Sequence, residues 1–401
     1  MINIFAKKDE QIIQSLLDND LYKMNMQQVV LHQYPGAEAV VEFHCRNSED
    51  LKPYIQEIRE QVEAIGSLRF KEDQLWYLGS IRYLKPDYIN FLKHFQLDPH
   101  HVNISVRDGQ LAIRIAGPWL SIIMWEVMLM AIISEIRNRT LYTNKTLDDV
   151  RRRIHEKVNS FIELSKNEDL SGFHLADFGT RRRFSFGAQW TVTDYLRHAL
   201  PDNFVGTSNV HIAREMQLTP IGTQAHEFFM AQMQLGPRLI DSQKAALESW
   251  VKEYRGELGI ALTDCISMDA FLNDFDLYFA KLFDGLRHDS GDALVWGDKA
   301  IAHYKKLRIN PMTKTLVFSD GLTLESALNI YRYFKGRINV SFGIGTSLSC
   351  DIPGVKPMNM VLKMTYCNGQ PVAKLSDSPG KTMCKDITFV NYLKDVFKYN
   401  M

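Results

Sequence analysis

Residues Leu218–Phe229 read LTPIGTQAHEFF and place one histidine, His226, after a Gly-Thr turn that follows a short apolar segment. Imidazole is the side chain that titrates near neutral pH. Four roles are open to it: buried structural group, proton carrier, metal ligand or phosphate acceptor. No H-x-x-x-H pair accompanies His226, which weakens the metal role. GLRHDSGD brings Arg287, Asp289 and Asp292 close together. Carboxylates at this spacing grip vicinal hydroxyls or Mg²⁺, and a guanidinium grips a carboxylate through two parallel bonds. DFGTRRRFSFG offers Phe178 for stacking and Arg181, Arg182 and Arg183 for phosphates or carboxylates. Three consecutive arginines cannot all face one site. SFGIGTSLS carries Gly343, Gly345 and Thr346, and FSDG carries Asp320 and Gly321. Glycines let backbone N–H groups converge on an anion, so two such loops side by side can hold one phosphate. Solvated surface loops and ordinary turn chemistry are the plainer readings of the same residues.

What places these residues together is the rhythm of the chain after about Gly172. Short apolar runs end in HLADFGTRR, NFVGTSN, PIGTQAH, IALTDC, FDGLRHDSGD, TLVFSDG and NVSFGIGTS, seven strand-like segments mostly followed by helical patterns. Alternating strand and helix predicts parallel strands with right-handed crossovers. Seven units suit a closed or nearly closed barrel, whose site lies at the C-terminal strand ends. Those ends carry Arg181, Ser208, His226, Asp264, Arg287, Asp289, Asp292, Asp320, Gly321, Gly345 and Thr346. Polar or glycine residues at every end form a constellation that one polar strand end would not.

Before the barrel, VVEFHC and GQLAIRIAG alternate like strands, the second with Leu111, Ile113 and Ile115 on one face. Ala116–Ser134 approaches the length of a membrane span. Glu126 near its middle and Pro118 at its start predict instead a buried helix opened by Pro118. TLDDVRRRIHEKVNSFIEL predicts an amphipathic helix, N-capped by Thr146 with Asp149, and with Val150, Ile154, Val158 and Ile162 on one stripe. Thr323 is the expected N-cap of the helix after FSDG. MVLKMTYCNGQPVAKLS predicts a hairpin turning at Asn368-Gly369, in a tail that returns to the first domain.

The 401 residues, 45% hydrophobic and 23% charged, have the composition of a globular protein with two domains. Formal charge is zero, which gives no argument for nucleic acid. Five cysteines without a C-x-x-C pair make a zinc cluster unexpected and fit a reducing cytoplasm. The N-terminus lacks the pattern of a signal peptide, and no membrane partner is expected. No Walker-type loop, dinucleotide fingerprint or G-x-S-x-G turn is present.

Taken in order, NDLYKMNM, EFHCRN, DFGTRR, GTSN, PIGTQAHE, RHDSGD, FSDG and GIGTSL resemble the nicotinate phosphoribosyltransferase family over nearly the whole chain. The resemblance implies a type II phosphoribosyltransferase fold, an irregular parallel α/β barrel with an N-terminal α/β sandwich domain. The expected divisions are 1–135, 136–350 and 351–401. It implies condensation of nicotinate with phosphoribosyl pyrophosphate, driven by ATP hydrolysis through a phosphohistidine at His226, with Mg²⁺ neutralising pyrophosphate. The base is expected between Tyr22 and Phe178, with Arg181 or Arg287 on its carboxylate. Ser208 stands where a nicotinamide-using relative carries aspartate. Asp289 and Asp264 are expected to stabilise the ribosyl cation or hold the ribose hydroxyls. A homodimer with shared sites, Tyr22 acting across the interface, is expected from relatives of this fold. The rivals are a sister enzyme for nicotinamide or quinolinate and, in another class, a histidine phosphocarrier or regulatory binding protein.

Overall fold

The computed structural model describes residues 2–47, 49–378, 382 and 384–399. Parts of the expected C-terminal tail, 379–381, 383 and 400–401, lie outside the described residues. In chain order the strands are β1 (Glu38–Cys45), β2 (Val102–Arg107), β3 (Gln110–Pro118), β4 (Phe173–Asp177), β5 (Phe204–Thr207), β6 (Ile260–Leu262), β7 (Gly285–His288), β8 (Thr315–Phe318), β9 (Asn339–Ile344), β10 (Met360–Cys367) and β11 (Gln370–Pro371).

They form two sheets. The first is antiparallel, in the order β11-β10-β1-β3-β2. Alternation in β3 puts Leu111, Ile113 and Ile115 into the core. Two hairpins of this sheet turn on two residues. Asp108-Gly109 has φ of 52° and 72°, and Asn368-Gly369 has φ of 48° and 75°. Positive φ at both central positions is the demand of a type I′ turn, which Asn-Gly and Asp-Gly meet at least cost. Strand β10 pairs with β1 in the middle of this sheet, so the tail completes the first domain's own layer.

The second sheet is parallel, in the order β5-β4-β9-β8-β7-β6, and β5 and β6 lie at its two edges. PIGTQAH, expected as a strand, spans that gap as an irregular segment. Ile221 N–H donates to the Thr207 carbonyl at 2.8 Å, and Thr223 Oγ1 donates to the Ile260 carbonyl at 3.1 Å. The pairing stops at an isolated parallel bridge between Thr207 and Pro220, and Pro220 has no N–H of its own with which to extend it into a ladder. The approach to β5 is close: a Cβ on Gly206 would sit 2.1 Å from the Thr219 carbonyl oxygen.

Helix Leu147–Leu164 is N-capped by Thr146, whose hydroxyl accepts from Asp149 N–H while the Asp149 carboxylate accepts from Thr146 N–H. Its buried stripe is Val150, Ile154, Val158 and Phe161; Ile162 is 43% exposed. Steps of four overshoot the 3.6-residue turn, and by the third step the inward position has fallen back by one. Helix Leu324–Phe334 is N-capped by Thr323.

The apolar region beyond β3 also differs from expectation. Pro118 ends the strand, Trp119–Ile122 makes one turn, and the long helix is Trp125–Leu141. The Asn19 amide donates to the Met124 carbonyl at the break. The stretch Trp119–Leu141 is long and apolar enough to cross a membrane, but 89% of its apolar window is buried inside the protein. Several of its polar side chains are served within the fold. Glu135 accepts from the backbone of Ala6 and Phe186, Ser134 donates to the Arg183 carbonyl, and Asn138 donates to the Phe184 carbonyl. This helix thereby ties the barrel entrance to the N-terminal segment.

Candidate active site

A cavity of about 920 Å³ opens at the C-terminal ends of the parallel strands. Its wall at β4 and β9 carries Phe178, Arg181, Gly345 and Thr346. Gly343 makes the seat for Phe178, since a Cβ there would lie 2.2 Å from the ring. The wall at β7 and β8 carries Arg287, Asp289 and Gly321, the last at φ +62°. Asp320 is not part of the lining, so the turn presents its glycine rather than its carboxylate. Of the three arginines, Arg181 and Arg182 line the cavity. Arg183 is buried away from it in a two-bond pair with Asp18, at 2.7 Å each.

Tyr22 enters the same cavity from helix Leu21–Gln33 of the same chain. Leu21 N–H donates to the Ser208 carbonyl at 2.9 Å, and Asp20 bridges to Asn209. These bonds hold the helix start against the end of β5. The Arg181 guanidinium lies 5.9 Å from the Tyr22 ring centre. Tyr22 was expected to act across a dimer interface; within the single chain its own Tyr22 lines this wall.

Ser208 lines the cavity and donates to Asp20 Oδ1 at 2.7 Å. The aspartate absent at 208 is thus matched by one from the N-terminal segment. Burial raises the Asp20 carboxyl against the opposing pull of Arg181.

His226 is the first residue of helix His226–Leu235 and also lines the cavity. Its Nε2 lies 2.7 Å from Asp264 Oδ1, 2.8 Å from Lys374 Nζ and 3.7 Å from Asp289 Oδ2. Asp264 Oδ2 accepts from Ser290 at 2.6 Å and from Lys374 at 2.7 Å. Asp264 is 1% exposed, with His226 between it and the cavity. Its expected place at the ribose is corrected accordingly, because both oxygens are engaged and it sits behind the imidazole. Burial, and after it the Lys374 ammonium, push His226 down to about 4 against Asp264, so the ring is neutral at pH 7. Burial disfavours charge on Asp264, yet His226 and Lys374 hold its carboxyl well below the usual range. His226, Asp264 and Asp289 converge closely enough to hold a metal ion. Lys374 Nζ already supplies the positive charge between two of them.

A second buried network flanks the cavity. Lys23, 1% exposed, pairs with Glu126 at 2.6 Å and with Glu227. Trp119 Nε1 donates to Glu227 at 2.6 Å. Burial opposes charge on Glu126, but Lys23 and then Arg181 hold its carboxyl at about 2. Lys363 of β10 lines the cavity, and burial pushes its ammonium down to about 8.

Profiles described as the nicotinate phosphoribosyltransferase N-terminal domain and the nicotinate phosphoribosyltransferase family match residues 17–134 and 173–401. The chain belongs to the nicotinate phosphoribosyltransferase family. It is 59% identical over 395 residues to nicotinate phosphoribosyltransferase 1 of Pseudomonas aeruginosa, covering 98% of each chain. It is 58% identical to nicotinate phosphoribosyltransferase 2 of the same organism, covering 97% of this chain and 98% of that one. The crystal structure of the Vibrio cholerae nicotinate phosphoribosyltransferase superposes with a TM-score of 0.96 at 40% identity, covering 99% and 96% of the two chains. That from Porphyromonas gingivalis gives 0.90 at 33%, covering 96% and 100%. The family's type II phosphoribosyltransferase fold, barrel and antiparallel domain together, is the one described above.

Sequence reasoning missed Lys374, Lys363, Lys23 and Asp20. Lys363 had a signal: it is the one charge inside the apolar strand MVLKMTYC. Lys374 had none, because 148 residues separate it from His226.

Proposed function

We propose that the chain forms nicotinate mononucleotide and pyrophosphate from nicotinate and phosphoribosyl pyrophosphate, with ATP hydrolysed through a phosphohistidine at His226. Beside its membership of the family, what supports this reading is the neutral His226 on the cavity wall, with every polar contact of the ring on Nε2 among the described residues.

In the transfer, the pyridine nitrogen attacks the anomeric carbon, and the bond from that carbon to the pyrophosphate oxygen breaks. No base is needed, because the nucleophile carries its own lone pair. Asp289 faces the positive charge that develops on the ribosyl ring. Gly321, Gly345 and Thr346 offer donors to the phosphates. Mg²⁺ arrives as the counter-ion of the triphosphate and of phosphoribosyl pyrophosphate.

The base lies between Tyr22 and Phe178. Arg181 grips its carboxylate, since Arg181 and Tyr22 share one wall. Arg287, which donates to the Gln224 carbonyl at 3.0 Å just before His226, serves the phosphates instead.

In the ATP half-reaction the Nδ1 lone pair of His226 takes the γ-phosphoryl group, and the bond to the bridging oxygen breaks with ADP leaving. Water then releases phosphate.

The deciding assay is pyrophosphate release with nicotinate, nicotinamide or quinolinate, each with and without ATP. Nicotinate should be used far better than the others and should be stimulated by ATP; preference for either rival base overturns the reading. His226→Asn should lose acid-labile label from γ-labelled ATP while keeping some uncoupled transfer. Label persisting in that variant overturns the phosphohistidine assignment.

A further inference from the structure

His226 Nε2 has two close partners of opposite character, the Asp264 carboxylate oxygen at 2.7 Å and the Lys374 ammonium at 2.8 Å. A neutral imidazole has one N–H and one lone pair. If Nε2 carries the proton, it donates to Asp264 but faces an ammonium proton. If Nε2 carries the lone pair, it accepts from Lys374 but faces a carboxylate oxygen. The two demands exclude each other, and the choice decides whether Nδ1 holds a proton or a nucleophilic lone pair.

The surroundings weight the choice. Lys374 is 5% exposed. Burial works against its charge, but Asp264 and Asp289 raise its pKa above the ordinary lysine value, so it stays an ammonium. Its bond to Asp264 Oδ2, at 2.7 Å, satisfies the ion pair without the ring. Ser290 donates to the same oxygen at 2.6 Å. Both donors serve Oδ2, so the charge of the carboxylate is met there and Oδ1 is left to face the ring alone. The chain around Lys374 is anchored: Leu375 N–H donates to the Cys265 carbonyl at 2.9 Å and Asp377 N–H to Ser290 Oγ at 3.1 Å.

We propose that Lys374 is a positioning residue that holds His226 in the form protonated on Nδ1 in the free enzyme, so that Nδ1 becomes nucleophilic only when the ammonium leaves Nε2. Rotation about the end of the lysine chain is enough, because the bond to Asp264 Oδ2 can persist. Nε2–H then donates to Asp264 Oδ1, and the Nδ1 lone pair is free for the γ-phosphoryl group. An idle ring protonated on Nδ1 cannot be phosphorylated there, so ATP is not spent before the site is ready. This inference rests on the phosphohistidine reading above for its purpose, but not for its measurement.

The test is ¹⁵N NMR of the full-length protein labelled on its histidines, with His226→Asn identifying the signal. Without nucleotide, the wild type should show protonated Nδ1 and unprotonated Nε2. Lys374→Met should show the reverse, and its ring pKa should rise from about 4, because one of the groups that oppose Asp264 is removed while burial remains. Lys374→Arg, which keeps the cation, should retain the wild-type pattern. The methionine variant should also hydrolyse ATP without nicotinate faster than the wild type does. A wild-type ring protonated on Nε2 overturns the proposal, and this measurement needs no variant of Lys374 to fold. An unchanged pattern in Lys374→Met overturns it too. Absence of acid-labile label in the wild type overturns the phosphohistidine reading instead, whatever the tautomer.

Discussion

The Ser208 hydroxyl donates to Asp20 Oδ1 at 2.7 Å across a separation of 188 residues, joining the first helix to the end of β5 at the mouth of the cavity. Both residues are buried, at 4% and 2% exposure. A buried carboxylate that loses its donor costs about 1–3 kcal/mol. Ser208→Ala should therefore lower unfolding free energy by about that amount, read from denaturant midpoints. Ser208→Asp should be worse at pH 7, because it sets two carboxylates against each other and against the acid substrate. It should regain stability on acidification towards pH 5, as one of the pair takes a proton.

The two arginines should separate by substrate. Arg181→Gln should raise KM for nicotinate by about 10- to 150-fold, the worth of a charge-assisted contact of about 1.5–3 kcal/mol. Its KM for phosphoribosyl pyrophosphate should move little. Arg287→Gln should show the reverse pattern in the same steady-state assays. Equal effects on both substrates would exclude this division of roles.

Lys363 should set an alkaline limb. Burial lowers its pKa most, Glu126 opposes that, and Lys374 adds to it, leaving the ammonium at about 8. Below that pH the side chain is charged and attracts anions; above it the charge is lost. KM for phosphoribosyl pyrophosphate should rise between about pH 7 and pH 9, the interval around that pKa. Lys363→Arg stays charged throughout and should flatten the profile. A profile unchanged by the substitution would remove Lys363 from substrate binding.

The inward stripe of helix Leu147–Leu164 can be tested at adjacent positions. Phe161 is 1% exposed and packs on Phe173 with ring centres 5.0 Å apart. Phe161→Ala should cost about 3–5 kcal/mol. Ile162→Ala, at an exposed position, should stay within about 0.5 kcal/mol. Thermal or denaturant unfolding distinguishes them directly.

Local chemistry was legible in the sequence, and long-range pairing was not. Thr146 and Thr323 announced helix starts because capping is settled within three residues. Asn368-Gly369 announced a turn because few residues tolerate two positive φ values in succession. Strand-end residues such as Phe178, Arg181 and Arg287 were legible because parallel strands deliver their ends to one face, whereas His226 reaches the same cavity from a helix start after an irregular segment. Asp320 failed that rule, since its turn presents the neighbouring glycine. Asp264 was legible as a site residue but not as the partner of His226, because the rule places residues on a face without ranking their depth. Lys374 and Asp20 reach the site by folding back across more than a hundred residues, and no periodicity carries that information.

The pairing of β1 with β10 bears on how the molecule is made. Met364 of β10 sits opposite Val41 of β1, although β10 is not synthesised until Met360–Cys367 leaves the ribosome. The amino-terminal sheet must therefore wait, with β1 presenting an unpaired edge, while the barrel strands emerge between its halves. Such an edge is a template for pairing with another chain, and contacts between distant parts of a chain form slowly. Birth order and assembly order are thus opposed: the sheet that is begun first cannot be completed until most of the chain has been made. A nascent chain stalled before Met360 should in consequence leave that edge open to chaperone capture and aggregation.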